Sequence, residues 1–263
     1  MSTALFVRKG DELHPSELTV GPWSPDAQHG GPPAALLAGA IEKTASESKM
    51  MVSRVTIELL RPVPVDPLRV STEIVRPGKK VQLVAANLTH GDTVIARALG
   101  LKIRVADLDL PFDREDAGTL DPPEAGRPAK FFDRPGAFAL EGMEIRMVEG
   151  DFAEPGPGRG WLRLKVPLIE GEETTPLERV AAAADFGNGL SNLSGNVRDY
   201  VFINPDLEIR MARPPEGEWI YLDSETQIHK DGTGMATSVL GDRAGRLGVA
   251  AQSLFVDRMA PPG

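Results

Sequence analysis

The sequence predicts an α+β fold made of two tandem repeats, each a helix followed by an antiparallel sheet. Two observations carry that prediction. The order of one helix and then four strand-like runs occurs twice along the 263 residues. The copies also share residues: IELLRP matches IRMARP at Ile57 and Ile209, Arg61 and Arg213, and Pro62 and Pro214, each at an offset of 152. The last strands agree too, HGDTVIARALGL against RAGRLGVAAQSLF, with Gly91 and Gly245 at the turn before each. A repeat of about 100 residues is too long for a solenoid and fits a duplicated domain whose halves bury their sheets against each other.

Leu5, Phe6 and Val7 read as a short strand, and a loop is expected from there through Trp23. The polar, Gly-rich stretch that follows feeds a helix over Ala34–Ile41, with Pro32 and Pro33 in its first turn, where a missing N–H is harmless. His29, Gly30 and Gly31 then lie at the helix N-terminus. Backbone N–H groups there can face a carbonyl oxygen or an anion, although a turn that merely needs glycine accounts for the pair as well. Four strand-like runs follow at Val52–Leu60, Leu68–Val75, Val81–Thr89 and Thr93–Ile103, punctuated by proline and glycine turns. From Ala106 the pattern lapses into charged, Pro- and Gly-rich sequence, read as a surface linker. The division expected is residues 1–110, a linker at 111–138, and 139–263.

In the second repeat, strand-like Glu144–Val148 and Trp161–Leu168 bracket a Pro/Gly loop. The next helix opens with Thr175 as N-cap, Pro176 at its first position and Glu178 three residues after the cap. Leu177, Val180, Ala181, Ala184 and Asn188 recur at helical spacing, and the alanines let a sheet approach closely. Gly187 and Gly189 are expected to stop the helix. Asp185 falls about 80° around from the centre of the apolar stripe, at the rim of the buried face. Strand-like runs at Tyr200–Met211, Trp219–Gln227, Met235–Leu240 and Leu247–Asp257 close the chain.

Composition narrows the function. A net charge of -9 with no basic cluster argues against nucleic-acid binding. With no cysteine there is no disulfide, thiolate metal site or cysteine nucleophile. No apolar run reaches the roughly 18 residues of a membrane helix, and a cytoplasmic location is expected. No carboxylate spacing in the linker resembles a calcium loop, no Gly-x-Ser-x-Gly elbow is present, and no histidine has a triad setting. Neither metal nor cofactor is expected.

HGGPPAALLAGAIE in the first half, with AAAADF and GVAAQSLFV in the second, resembles the acyl-CoA thioesterase superfamily, type II branch, whose architecture is the double hotdog. The resemblance implies an acyl-CoA substrate, a place in lipid metabolism and a water-activating trio. Its helix aspartate falls on Asp185 and its last-strand glutamine on Gln252. Its threonine lands at or beside Phe202, where the nearest side chain able to do that work is Asn204, a departure from the pattern. The resemblance also implies one active site per chain and possible homo-oligomers through sheet edges.

Read as chemistry, Asp185 can accept a proton or fix a water, Gln252 and Asn204 can hold that water, and Gly30-Gly31 can polarise a thioester carbonyl. His29 and Trp23 are candidates to line the acyl-CoA site. The offset of 152 sets Asp185 against Pro33 and Asn204 against Val52, and the last-strand pairing sets Gln252 against Ala98. By that correspondence the first half holds no polar side chain at the three places. A non-catalytic acyl-CoA-binding protein of the same fold is the main alternative. An enoyl-CoA hydratase ranks lower, because no Asp–x4–His occurs before the central helix.

Overall fold

A computed structural model describes residues 3–111, 120–131, 135–193 and 199–259. The N-terminal strand is one arm of a hairpin, β1 (Phe6–Lys9) and β2 (Glu12–Pro15), turned by Gly10 at a φ of 64°. The sequence predicts a loop in place of β2. Leu13 explains the strand: it is buried and exchanges backbone hydrogen bonds with Leu68 at 2.8 and 2.9 Å. Helix α1 (Gly31–Lys43) and strands β3 (Met50–Leu59), β4 (Arg69–Arg76), β5 (Val81–His90) and β6 (Thr93–Arg104) complete the first repeat.

The expected linker is only partly a surface strap, and its residues 112–119 and 132–134 lie outside the described ones. Short strand β7 (Arg127–Pro128) pairs with β8 (Met143–Glu149), Pro123 is buried, and the Trp161 indole donates to the Asp121 carbonyl at 2.7 Å. A π-helical turn over Phe138–Gly142 leads into β8, and β9 (Gly158–Leu164) follows. Next come α2 (Pro176–Ala184) and the short α3 (Gly187–Leu190). Thus α2 ends at Asp185, ahead of the expected glycine stop, and helical turns resume at Gly187. Gly187 answers to packing: a Cβ there would meet Ser238 Oγ at 2.8 Å.

The run expected at Tyr200–Met211 is two strands, β10 (Tyr200–Ile203) and β11 (Asp206–Met211), because Pro205 has no N–H to give the ladder. Strands β12 (Ile220–Ile228), β13 (Thr233–Asp242) and β14 (Gly245–Arg258) finish the chain. The halves do not stack sheet on sheet. They share one twelve-stranded sheet in the order β4-β5-β6-β3-β11-β14-β13-β12-β9-β8-β7, with β10 also on β14. At its centre Thr56 faces Glu208 across β3 and β11, two positions related by the repeat offset, so the pseudo-two-fold axis passes there.

The helices are antiparallel against each other. At one end Gly30 lies against Asp185, and at the other Lys43 reaches Glu178 at 2.9 Å. Val180 to Ala184 are all at most 1% exposed. Small side chains there let α1 approach so closely that a Cβ on Gly31 would sit 2.6 Å from the Ala182 carbonyl oxygen.

Candidate active site

The capping box written in the sequence anchors the far end of α2. The Thr175 hydroxyl accepts from the Glu178 N–H at 3.2 Å, and Glu178 accepts from the Thr175 N–H at 2.8 Å. Nine residues of helix then deliver Asp185 to the C-cap, with its side chain 4% exposed. The sequence places it at the rim of the buried face; the structure buries it, because α1 closes over that rim.

Asp185 is the hub of a polar cluster inside the fold. Its Oδ1 accepts from Asn204 Nδ2 at 2.8 Å and Gln252 Nε2 at 3.2 Å, and its Oδ2 lies 2.9 Å from His29 Nδ1. Gln252 Nε2 also reaches the Asp185 carbonyl at 3.3 Å, and its Oε1 accepts from the Asn188 N–H at 3.1 Å. The sequence expects aspartate and glutamine to meet across a water; the side chains meet each other.

Asn204 reaches the cluster through a β-bulge. Ile203 faces Phe255 and Glu208 faces Ala251, so β10 and β11 carry one extra residue opposite β14 between those pairs. The extra residue lets Phe202 and Asn204 share the helix-facing side with Leu207 and Ile209. The first half has the matching bulge, since Val52 faces Lys102 and Arg54 faces Leu101. Bulge geometry is therefore part of the repeat, and only the side chain differs, Val52 against Asn204.

Two of the other correspondences need correction. Counted from the Thr56–Glu208 pair, Gln252 matches Gly100, two residues from Ala98. Asp185 caps the end of α2, so its counterpart is Thr44 at the end of α1; Pro33 stands in the first turn. An offset read on strands fails across loops of unequal length. The conclusion for the sheet positions stands: Gly100 and Val52 hold no polar side chain, and α1 packs Ile41 onto Gly100.

A carboxylate at a helix C-terminus opposes its own helix dipole. Here the N-terminus of α1 points at it from outside. Burial pushes the Asp185 carboxyl up, but the His29 ring, the Asn204 amide and the Gly31 N–H together hold it below its ordinary 3.8.

His29, a candidate to line the acyl-CoA site, lies in the cluster. Its ring stacks on Phe186 with centroids 4.5 Å apart and tilts against Phe138 at 5.1 Å. Sequence reasoning passed over both phenylalanines and put Asn188 on the apolar stripe of the helix; Phe186 could have been found as the direct neighbour of Asp185. At the α1 N-terminus, Pro32 and Pro33 bring no N–H, and Gly31 N lies 3.1 Å from His29 Nδ1. Gly30 is left as the first-turn amide that donates to no described group. Trp23 is half exposed in the loop before α1, with no described contact to the cluster.

Two cavities, of about 310 and 150 Å³, lie elsewhere, one beside Trp161 and Arg243 and one beside Glu42 and Met51. Among the described residues, no three His, Asp or Glu side chains are grouped to hold a metal ion, and no helix is long and apolar enough to cross a membrane.

Known structures share this fold. A protein provisionally named thioesterase II from Thermobifida fusca YX is 17% identical, over 97% of this chain and 96% of its own, with a TM-score of 0.74. A protein of unknown function with a hot dog fold from Alicyclobacillus acidocaldarius is 14% identical, covering 98% and 96%, with a TM-score of 0.72. The acyl-CoA thioesterase II TesB2 from Mycobacterium marinum is 15% identical, covering 94% and 97%, with a TM-score of 0.64. These likenesses establish the hot dog fold. No curated protein matches the chain. Two family models do match it, the acyl-CoA thioesterase N-terminal domain over residues 19–102 and the C-terminal domain over 117–256. The chain belongs to the acyl-CoA thioesterase family.

Proposed function

We propose that the protein hydrolyses acyl-CoA to a fatty acid and CoA by direct attack of water, at the cluster of Asp185, Asn204 and Gln252. One observation carries the reading: two amides, one from a bulge and one from the last strand, converge on a buried carboxylate at a helix end, while the sheet positions of the other half hold Val52 and Gly100. An amide left unpaired in that strand would cost roughly 1–3 kcal/mol. Gln252 instead spends its hydrogen bonds on fixing Asp185. In this reading the Gly30 N–H is the donor to the thioester oxygen as it gains charge. Trp23 lines the outer approach, and no metal or cofactor takes part.

The same reading divides the chain at a linker over residues 111–138 and puts the work in cytoplasmic lipid metabolism. The test is free CoA release from acyl-CoA of short, medium and long chains. Wild type is expected to turn over at least one length and Asp185→Ala none above background. Equal background from both, with acyl-CoA still bound, would establish the non-catalytic binding protein. The His29–Asp185 contact pairs an acid with a base, as a hydratase needs, without an Asp–x4–His spacing, so an enoyl-CoA belongs in the panel. Loss of enoyl absorbance without CoA release would favour the hydratase.

A further inference from the structure

We infer that His29 takes the proton from the attacking water, and that Asp185 is a positioning residue that holds the ring for it. The inference rests on the hydrolytic reading and deepens it.

The first argument is saturation. A carboxylate offers about four lone-pair sites. Asn204 and Gln252 occupy Oδ1 and His29 faces Oδ2, so at most about one of those sites is left over. With its side chain 4% exposed, Asp185 is closed in by those partners, whereas the His29 side chain keeps 13% of its surface open.

The second argument is the tautomer. A bare Nδ1 only 2.9 Å from a carboxylate oxygen would set lone pair against lone pair. Placing the proton on Nδ1 makes that contact a charge-assisted hydrogen bond, which outweighs the longer 3.1 Å bond that the Gly31 N–H would otherwise give to a bare Nδ1. The free lone pair is then on Nε2, at the far edge of the ring. Stacking between Phe138 and Phe186 fixes the plane, the side chain is 13% exposed, and no described group hydrogen-bonds Nε2. Among the described residues, Asp185 is the one titratable side chain within ion-pair distance of the ring. A nitrogen base with a fixed tautomer, held by a buried acid and open on one edge, is suited to proton transfer.

The step balances without another reactant. Water oxygen bonds to the thioester carbonyl carbon, its proton passes to Nε2, and the carbonyl π pair moves to oxygen. When that pair re-forms the double bond, the carbon–sulfur bond breaks with its electrons on sulfur. The imidazolium returns the proton to the thiolate, leaving a carboxylic acid and CoA.

His29→Asn keeps an N–H for Asp185 but removes the base. Its kcat is expected to fall by about 10²–10⁴-fold with KM little changed. The limb on which kcat/KM rises with pH should vanish. A thermal melt matching wild type shows that the variant folds. Nitrogen NMR reads the tautomer without turnover: protonated Nδ1 and bare Nε2 are expected, and a proton on Nε2 overturns the inference. An active His29→Asn enzyme with the limb intact overturns it alone. A wild type that releases no CoA at any chain length sinks the hydrolytic reading and this inference together.

Discussion

Asp185 carries a negative charge where both burial and its own helix oppose one, so its neighbours must hold the charge there. A carboxyl whose native pKa lies below its unfolded value stabilises the fold above the ordinary range, and that contribution disappears as pH falls through the native value. Unfolding in urea from neutral pH to about pH 3 should therefore show wild type losing its advantage over Asp185→Asn as the pH drops below about 3.8. A difference that stays flat would contradict the ionised cluster. Gly30 gives a second test, because a Cβ there would stand 2.7 Å from Asp185 Oδ2. Gly30→Ala is expected to lower kcat by about 10-fold or more through misplacement of the carboxylate, and to lower the melting temperature as the bonds to Asp185 loosen.

Element by element, the site depends on two helices crossing in close contact with opposite direction. At their other junction the Thr175 hydroxyl caps α2 and donates to Glu42 Oε2 at 2.6 Å. Burial still pushes the Glu42 carboxyl up despite that bond. Thr175→Ala should cost about 1 kcal/mol for the cap, with more for the lost bond to Glu42, read as a lower urea midpoint. Gly31→Ala would press a Cβ onto the Ala182 carbonyl at 2.6 Å and the Phe138 ring at 2.9 Å. A backbone oxygen cannot swing aside, so about 1–3 kcal/mol of stability should be lost.

Across the whole molecule, the halves meet as strands of one sheet, with Val55 and Ile209 fully buried on facing strands. Ile209→Ala is expected to cost about 2–5 kcal/mol and to unfold both halves in one transition, since neither has a core boundary there. At one edge of the sheet, β4 exposes Ile74 at 42% and Val75 at 52% beside unpaired backbone groups. Such an edge recruits another strand. Light scattering should report a mass above the monomer, and Val75→Lys should return it toward the monomer.

What the sequence determined by itself was everything set by local period and local chemistry. The two helix-and-sheet repeats follow from apolar spacing, the α2 start from Thr175, Pro176 and Glu178, and the acid and amide at Asp185 and Gln252 from motifs along single elements. Only the tertiary structure decided what those side chains touch. His29 meets Asp185 because α1 and α2 run antiparallel, and Asn204 reaches it because one extra residue shifts the phase of a strand. Correspondence by a fixed offset broke for the same reason, since loop lengths slide helices relative to strands. A contact between distant residues depends on the packing of whole elements, and no short stretch of chain carries that information.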